Sequence, residues 1–384
     1  MANSSTPFHK ILYMTFAAFP STAAHSVNVI KMCEALARLG YKLTLTAYAR
    51  EKEKDIFKFY RIKYPFDIKR IRLSNVRFIG RISFLIKAYY SVQKNTPDLL
   101  YTRDIFNGFL AKILKLPFVL EIHELPHNPF RKWILKQILS SDHLELLVLI
   151  SEKLKEFLKS EMGNLFDSHK YLIAHDGVNL KDFDLKLART EIRKILDLPE
   201  KAFIAGYIGG LFEGRGLEVI LKLSTLLKDV IFVIVGGEGK YLASFNEKVK
   251  ELKLNNLIAK GFVPYEMIPF YLRASDILLM PYQTRVLHRQ KKHDTASYMS
   301  PLKMFEYMAS GRPIISSDIK VLKEVLTDRD NALLANPEEI DEWVEAVALL
   351  KREAAVGENL GNKARKDVEK YSWDERARNI MESI

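Results

Sequence analysis

Only one cysteine occurs among the 384 residues, so the chain holds no internal disulfide. Cys33 lies on a helical pattern with Val29, Leu36 and Ala37, which reads as a buried structural thiol. No run of about 18 uninterrupted apolar residues is present, which excludes a transmembrane helix. Met1 to Lys10 is polar and leads directly into a strand-like run, without the apolar core of a signal peptide. These absences set the expected location as the cytoplasm. No spacing of Cys, His, Asp and Glu reads as a metal site, so neither a metal nor a cofactor is expected. Low-complexity segments and short repeats are lacking too. What remains is a globular composition, 48% hydrophobic and long enough for two ordinary domains.

Acidic residues are scarce in the first half. Residues 1–180 carry 27 Lys and Arg against 16 Asp and Glu, whereas residues 181–384 carry 32 against 31. Nearly the whole net charge of +12 therefore sits in the first half, which suits an anionic partner. The densest part, Lys52 to Arg81, interleaves basic residues with Phe57, Phe59, Tyr60, Tyr64 and Phe66. Phe130, Arg131, Lys132, Trp133 and Lys136 repeat the mixture. A solvated basic surface and docking on an anionic membrane, worth roughly 1 kcal/mol per Lys or Arg, both fit this pattern. Nucleic acid is not an expected partner, because no binding module is visible.

Apolar strand-like runs alternate with helical patterns from end to end, which predicts a parallel α/β architecture. In the first half the strands are Ile11 to Phe16, Leu43 to Ala47, Leu99 to Thr102, Phe118 to Ile122, Leu146 to Ile150 and Ile173 to Ala174. A helix is predicted from about Ser26 to Leu39, stopped by Gly40. Asp176-Gly177-Val178-Asn179 is a turn-forming hinge. The pattern then restarts, with strands at Phe203 to Ile208, Val230 to Val235, Leu257 to Lys260, Ile277 to Met280 and Pro313 to Ser316. A helix over Leu217 to Lys228 follows the first of these. Two Rossmann-like, doubly wound domains facing across a cleft follow from this, since such sheets bind ligands at their strand C-termini.

Ser300 to Pro313 carries the most chemistry. Lys303 and Glu306 lie three residues apart at the start of an apolar helical run, and Gly311 ends it. A helix N-terminus offers free N–H groups and a positive dipole end. Lysine adds a full charge there, and a glutamate one turn on accepts from hydroxyls. Together they suit a diphosphate and a ribose. The segment resembles the donor-binding motif of the retaining glycosyltransferases of the GT-B fold, specifically the large family 4. Other segments are similar in the same order: Tyr207 to Gly216 to the phosphate loop, Val233 to Gly239 to the next strand and turn, and Lys260 to Pro264 to the loop that meets the base. Tyr271 to Pro281 resembles the strand leading to the sugar, Tyr371-Ser372-Trp373 the start of the closing helix, and the 176–179 hinge the family's domain change.

The resemblance implies an N-terminal acceptor domain over 1–178, joined by the returning helix 374–384, and a donor domain over 179–373. It implies a nucleotide-sugar donor and a glycan or glycolipid acceptor. Lys303 and Arg215 would clamp the diphosphate, Glu306 would hold the ribose, and His123, directly after a first-domain strand, would meet the donor sugar. Gly209, Gly210, Val235, Gly236, Phe262, Val263 and Pro264 would line the donor, with Pro301 and Leu302 opening the helix. The family's earlier arginine is absent, because Gly210 stands at its position. The first glutamate of its pair is replaced by Tyr298. Its hydroxyl contacts would pass to the backbone N–H groups of Tyr298, Met299 and Ser300, or to Asp294. Ala24, His25 and Ser26 would approach the acceptor at a helix N-terminus. Arg103 would meet an anionic acceptor or pair with Asp104 or Glu121. The basic loop Gln283 to His293 is expected to move. Rival readings are a nucleotide-sugar epimerase or hydrolase on the same fold, a non-catalytic binding subunit, and a nicotinamide enzyme. The last lacks the full glycine fingerprint.

Overall fold

The computed structural model describes residues 7–49, 55–71, 77–288 and 291–384. The chain forms two compact units, Met1–Gly177 with Trp373–Ile384, and Val178–Ser372. Each is built on one parallel sheet covered by helices.

In the first unit the strands are β1 (Lys10–Phe19), β2 (Lys42–Ala49), β3 (Asp67–Ile71), β4 (Leu99–Thr102), β5 (Phe118–Ile122), β6 (Leu144–Leu149) and β7 (Tyr171–Ile173). Their spatial order is β3-β2-β1-β4-β5-β6-β7, so the winding reverses between β1 and β4. Helix α1 (Ala24–Arg38) carries the chain from β1 to β2. Helices α2 (Arg77–Asn95), α3 (Ile105–Ile113) and α4 (Pro129–Leu139) make the crossovers to β4, β5 and β6. These run the other way along the sheet, and right-handed crossovers put them on the face opposite α1. β4, β5 and β6 are mostly apolar, with Glu121 and Glu145 the charged exceptions, because both faces are covered. β3 was not foreseen. Its sequence DIKRI is charged and half exposed, as befits an edge strand, and it offers no apolar alternation.

The second unit has β8 (Phe203–Ile208), β9 (Val230–Val235), β10 (Leu257–Gly261), β11 (Ile277–Met280), β14 (Ile314–Ser317) and β15 (Leu333–Ala335), in the order β10-β9-β8-β11-β14-β15. The winding reverses between β8 and β11. A separate antiparallel pair, β12 (Leu287–His288) and β13 (Lys291–Asp294), lies between β11 and β14. Its strands take up five of the eleven residues expected to be a moving loop. Arg289 falls outside the described residues, as do Lys52, Lys54 and part of the basic stretch that follows them. Helix α5 (Leu217–Leu226) joins β8 to β9, and α6 (Leu302–Ser310) leads into β14. Gly311 ends α6 in the left-handed region, φ 66°.

The C-terminal helix α7 (Trp373–Glu382) belongs to the first unit. Trp373, Arg376, Ala377, Ile380 and Met381 are its buried face. Arg38 of α1 pairs with Asp374 at its start, at 2.9 Å.

Candidate active site

The second unit gathers its chemistry where the winding reverses, the position at which open α/β sheets bind ligands. Lys303 lies in the first turn of α6, whose cap residue Pro301 offers no side-chain acceptor. Its side chain runs inward over two aromatic faces. Nζ is 4.2 Å from the ring centre of Tyr207 and 4.5 Å from that of Tyr282. It is buried and has no hydrogen-bond acceptor among the described residues. Burial, and then the charge of Arg215, push its pKa well below the ordinary lysine value.

Arg215 donates from Nη1 to the Tyr282 hydroxyl at 2.6 Å, with its guanidinium 4.9 Å from the same ring's centre. Tyr282 thus stands between two cations. Gly209 leaves room for Lys303, since a Cβ there would lie 3.2 Å from Nζ. Gly210 accepts from the Tyr207 hydroxyl at 2.8 Å, which fixes that ring. Val235 ends β9 and accepts from the Gly209 N–H. Gly236, at φ 120°, donates to Gly261, and a Cβ on it would lie 2.1 Å from the Gly209 carbonyl oxygen. Only glycine permits this approach between the two strand ends.

Glu306 sits one turn on from Lys303. Burial pushes its pKa up to about 7, the Asp182 carboxylate adds to the rise, and the Tyr265 hydroxyl and Lys303 oppose it. Phe262 is exposed, an aromatic face at the end of β10, and Val263 packs against the core beside it. Pro264 caps the short turn Tyr265–Met267.

Three expectations need correction. The N–H groups of Tyr298 and Met299 are not available to a ligand, because both donate to the Thr295 carbonyl, at 3.2 and 3.0 Å. Tyr298 and Ser300 are both buried. The Asp294 carboxylate accepts from the N–H groups of Val286 and Ala296, at 2.8 and 2.9 Å, so it ties down the hairpin.

In the first unit, Glu121 is a completely buried carboxylate on β5. Burial works against its charge, but Arg376 of α7, 2.9 Å away, overcomes it and holds the group well below the usual carboxylate range. Arg376 also donates to the carbonyls of His175 and Ala174, at 2.8 and 3.2 Å. The Tyr101 hydroxyl donates to the other carboxylate oxygen. His123 meets Glu121 through Nε2. Burial, and then the charge of Arg103, push the imidazole down to about 4, so it is neutral at pH 7. An ionised carboxylate only accepts, which puts the proton on Nε2 and leaves Nδ1 as an acceptor.

Arg103 resolves toward its own unit. Nη1 donates to Asn28 at 2.6 Å, and Nε faces Glu121 at 3.9 Å. Ala24 and His25 are exposed in the first turn of α1, which begins two residues before the expected start. Ser26 is buried, and its hydroxyl donates to Ala18 at 3.1 Å, so it is not offered to an acceptor. The aromatic walls Tyr207 and Tyr282 and the partner Arg376 were missed. Tyr282, two residues after the end of β11, was the one with a local signal.

Residues 26–182 match the family model described as Glycosyltransferase Family 4, and residues 188–367 match Glycosyl transferases group 1. The chain is a family 4 GT-B glycosyltransferase. An uncharacterised glycosyltransferase of Methanocaldococcus jannaschii is 22% identical over 82% of this chain and 84% of its own. Among solved structures, the sucrose-phosphate synthase of Thermosynechococcus elongatus is 18% identical, with a TM-score of 0.77 over 97% of both chains. Anabaena HepE, solved in complex with UDP-glucose, is 14% identical, with a TM-score of 0.74 over 98% of this glycosyltransferase and all of the other chain.

Proposed function

We propose that this glycosyltransferase moves a sugar from a UDP- or GDP-linked donor to a hydroxyl of a lipid-linked or cell-envelope glycan, with retention of the anomeric configuration. The observation that carries the donor reading is Lys303, a buried ammonium with two aromatic faces and no acceptor among the described residues. A group left so is destabilising unless an anion completes it. A diphosphate between Lys303 and Arg215 does so. UDP-glucose in the similar HepE supports the same ligand class.

In the proposed reaction the bond from the anomeric carbon to the leaving phosphate breaks. The acceptor oxygen bonds to the same face, and its proton passes to the leaving phosphate. The protein supplies no nucleophile. Lys303 and Arg215 stabilise the charge that develops on the diphosphate, in place of a metal ion. Glu306, when ionised, accepts from the ribose hydroxyls. Neutral His123 accepts from a sugar hydroxyl at Nδ1, oriented by Glu121. The work would be done by the inner face of the cytoplasmic membrane, where lipid-linked acceptors are reached.

The departures at Gly210 and Tyr298 favour a second reading, a non-catalytic subunit of the same fold. Calorimetry with UDP, GDP, ADP and CMP separates the two. The expected result is binding of one nucleoside diphosphate, lost in Glu306→Ala with Lys303→Ala. Binding of none of them would overturn the enzyme reading. Turnover of the sugar nucleotide without any acceptor would instead indicate an epimerase or a hydrolase.

A further inference from the structure

The second unit gathers arginines at the edge of its sheet where the strands begin, opposite the edge that carries the donor site. Asp276 stands directly before β11, and its N–H donates to the Ile204 carbonyl of β8 at 2.8 Å. β11 pairs in parallel with β14, Leu278 beside Ile314, and the same register carried back two residues puts Arg312 beside Asp276. Arg273 lies in the last turn of the helix Ile268–Ala274, just before Asp276. Arg189 and Arg193 come from the helix Arg189–Ile195, one turn apart on one face. Four guanidiniums therefore meet at one carboxylate.

That carboxylate is fully engaged. One Asp276 oxygen accepts from Arg189, and the other accepts from Arg193 and from the Ile204 N–H, both at 2.7 Å. Arg193 also donates to the carbonyls of Ala274, Glu200 and Ala202, at 2.9, 2.8 and 2.9 Å, and is a buried staple of the fold. Neighbouring acids turn elsewhere. Glu191 accepts from the Ala188 N–H at 2.7 Å, and Glu200 faces Lys194 at 3.6 Å. Arg273 and Arg312 are left over. Nε of each is buried without a hydrogen-bond acceptor among the described residues. Burial, and then the charges of Arg273 and Arg189, push the Arg312 guanidinium down to about 10 against the pull of Asp276, so it stays charged at pH 7. Cations held together in this way are destabilising until an anion joins them. Arg189 forms the rim, with its side chain 42% exposed. An ion pair open to water contributes little, so Arg189 can turn from Asp276 to a ligand.

We propose that Arg189, Arg273 and Arg312 form a second anion site on this unit, which takes a phosphate dianion, free or as the monoester of a small molecule. Guanidinium forks match phosphate oxygens in pairs. A dianion also answers the excess of positive charge better than one more carboxylate would. The length of α6, about 13 Å, separates Arg312 from Lys303. The inference does not rest on the donor reading, and it is tested without nucleotide.

The test is thermal melting of the full chain in phosphate-free buffer, titrated with inorganic phosphate or with glycerol 2-phosphate, with sodium chloride at matched ionic strength as the control. A saturable rise in melting temperature with phosphate and not with chloride is expected. Arg273→Gln with Arg312→Gln should weaken the apparent affinity at least about 10-fold. Arg189→Gln, at the exposed rim, should weaken it less. Lys303→Ala with Glu306→Ala should keep the saturable rise. Without phosphate, the Arg273 and Arg312 variant should melt no lower than wild type, because neither side chain loses a partner. A stronger response to glycerol 2-phosphate would support a phosphorylated small molecule as the ligand, and a stronger response to inorganic phosphate the free ion. A rise equal to that with chloride would overturn the proposal, as would one that survives loss of Arg273 and Arg312 or vanishes with Lys303 and Glu306. A double arginine variant that melts below wild type without phosphate would make these residues structural and overturn it too.

Discussion

Replacing Lys303 by Met should make the protein more stable and its nucleotide binding worse. The side chain keeps its length and its contact with the Tyr207 and Tyr282 rings, and loses only the charge. In the free protein that charge has no acceptor among the described residues. The desolvation cost of such an ion is several kcal/mol, offset by about 2 kcal/mol of cation–π attraction. A net gain of about 1–3 kcal/mol on substitution follows, or roughly 2–4 °C per kcal/mol for a unit of this size. The sign has a pH signature. A lysine whose folded pKa is depressed binds fewer protons folded than unfolded, so wild-type stability rises with pH until the unfolded value of 10.5 is passed. The advantage of Lys303→Met should therefore shrink toward alkaline pH. Binding moves the other way. Loss of charge-assisted hydrogen bonds to a diphosphate costs about 1.5–3 kcal/mol, roughly 10- to 150-fold in Kd. Scanning calorimetry without ligand and titration calorimetry with UDP and GDP read both effects. A variant that melts below wild type, or that binds the diphosphate equally well, would refute the reasoning.

The first unit makes a parallel prediction with the opposite sign. Arg376→Met strands the buried Glu121 charge and should cost about 3–5 kcal/mol in urea unfolding. Adding Glu121→Gln should restore more than half of it, and a double variant no more stable than the single one would sink the account. Glu306 predicts a pH limb for donor binding. Its carboxyl is raised to about 7, so ribose recognition by the ionised form should weaken below that pH, and Glu306→Gln should bind more weakly but without the limb. The same raised pKa adds stability that is full below 4.5 and is lost as pH rises through about 7, at most about 3 kcal/mol. Melting curves of wild type and Glu306→Gln across that window should converge toward alkaline pH if Gln restores only packing, and diverge if the variant escapes the cost of the buried charge; divergence is the expected result.

What could be read from the chain follows from how local each feature is. β4, β5, β8, β9 and β11 are found where the apolar runs put them, because each is predominantly apolar and buried on both faces. β15 is three residues long and carries too little pattern to stand out. Lys303, Glu306 and Gly311 share one helix, so their relation is a matter of spacing. By contrast, the side chains that give Lys303 its character come from the ends of β8 and β11. No spacing rule links Tyr207, Tyr282 and Lys303 before the sheet is folded.

Tyr298 and Asp294 show the same limit from the other side. The resemblance puts both beside the donor hydroxyls, but the Tyr298 N–H donates to Thr295 and the Asp294 carboxylate accepts from Val286 and Ala296 of the hairpin region. Glu121 and Arg376 are 255 residues apart, and only the return of the C-terminal helix brings them together. That contact turns a charged residue in the apolar strand FVLEI from an apparent misfit into the group that sets the tautomer of His123. A charge on a doubly covered strand has to be answered by another charge somewhere in the chain. The sequence can therefore announce that such a partner exists long before it can say which of 59 Lys and Arg it is.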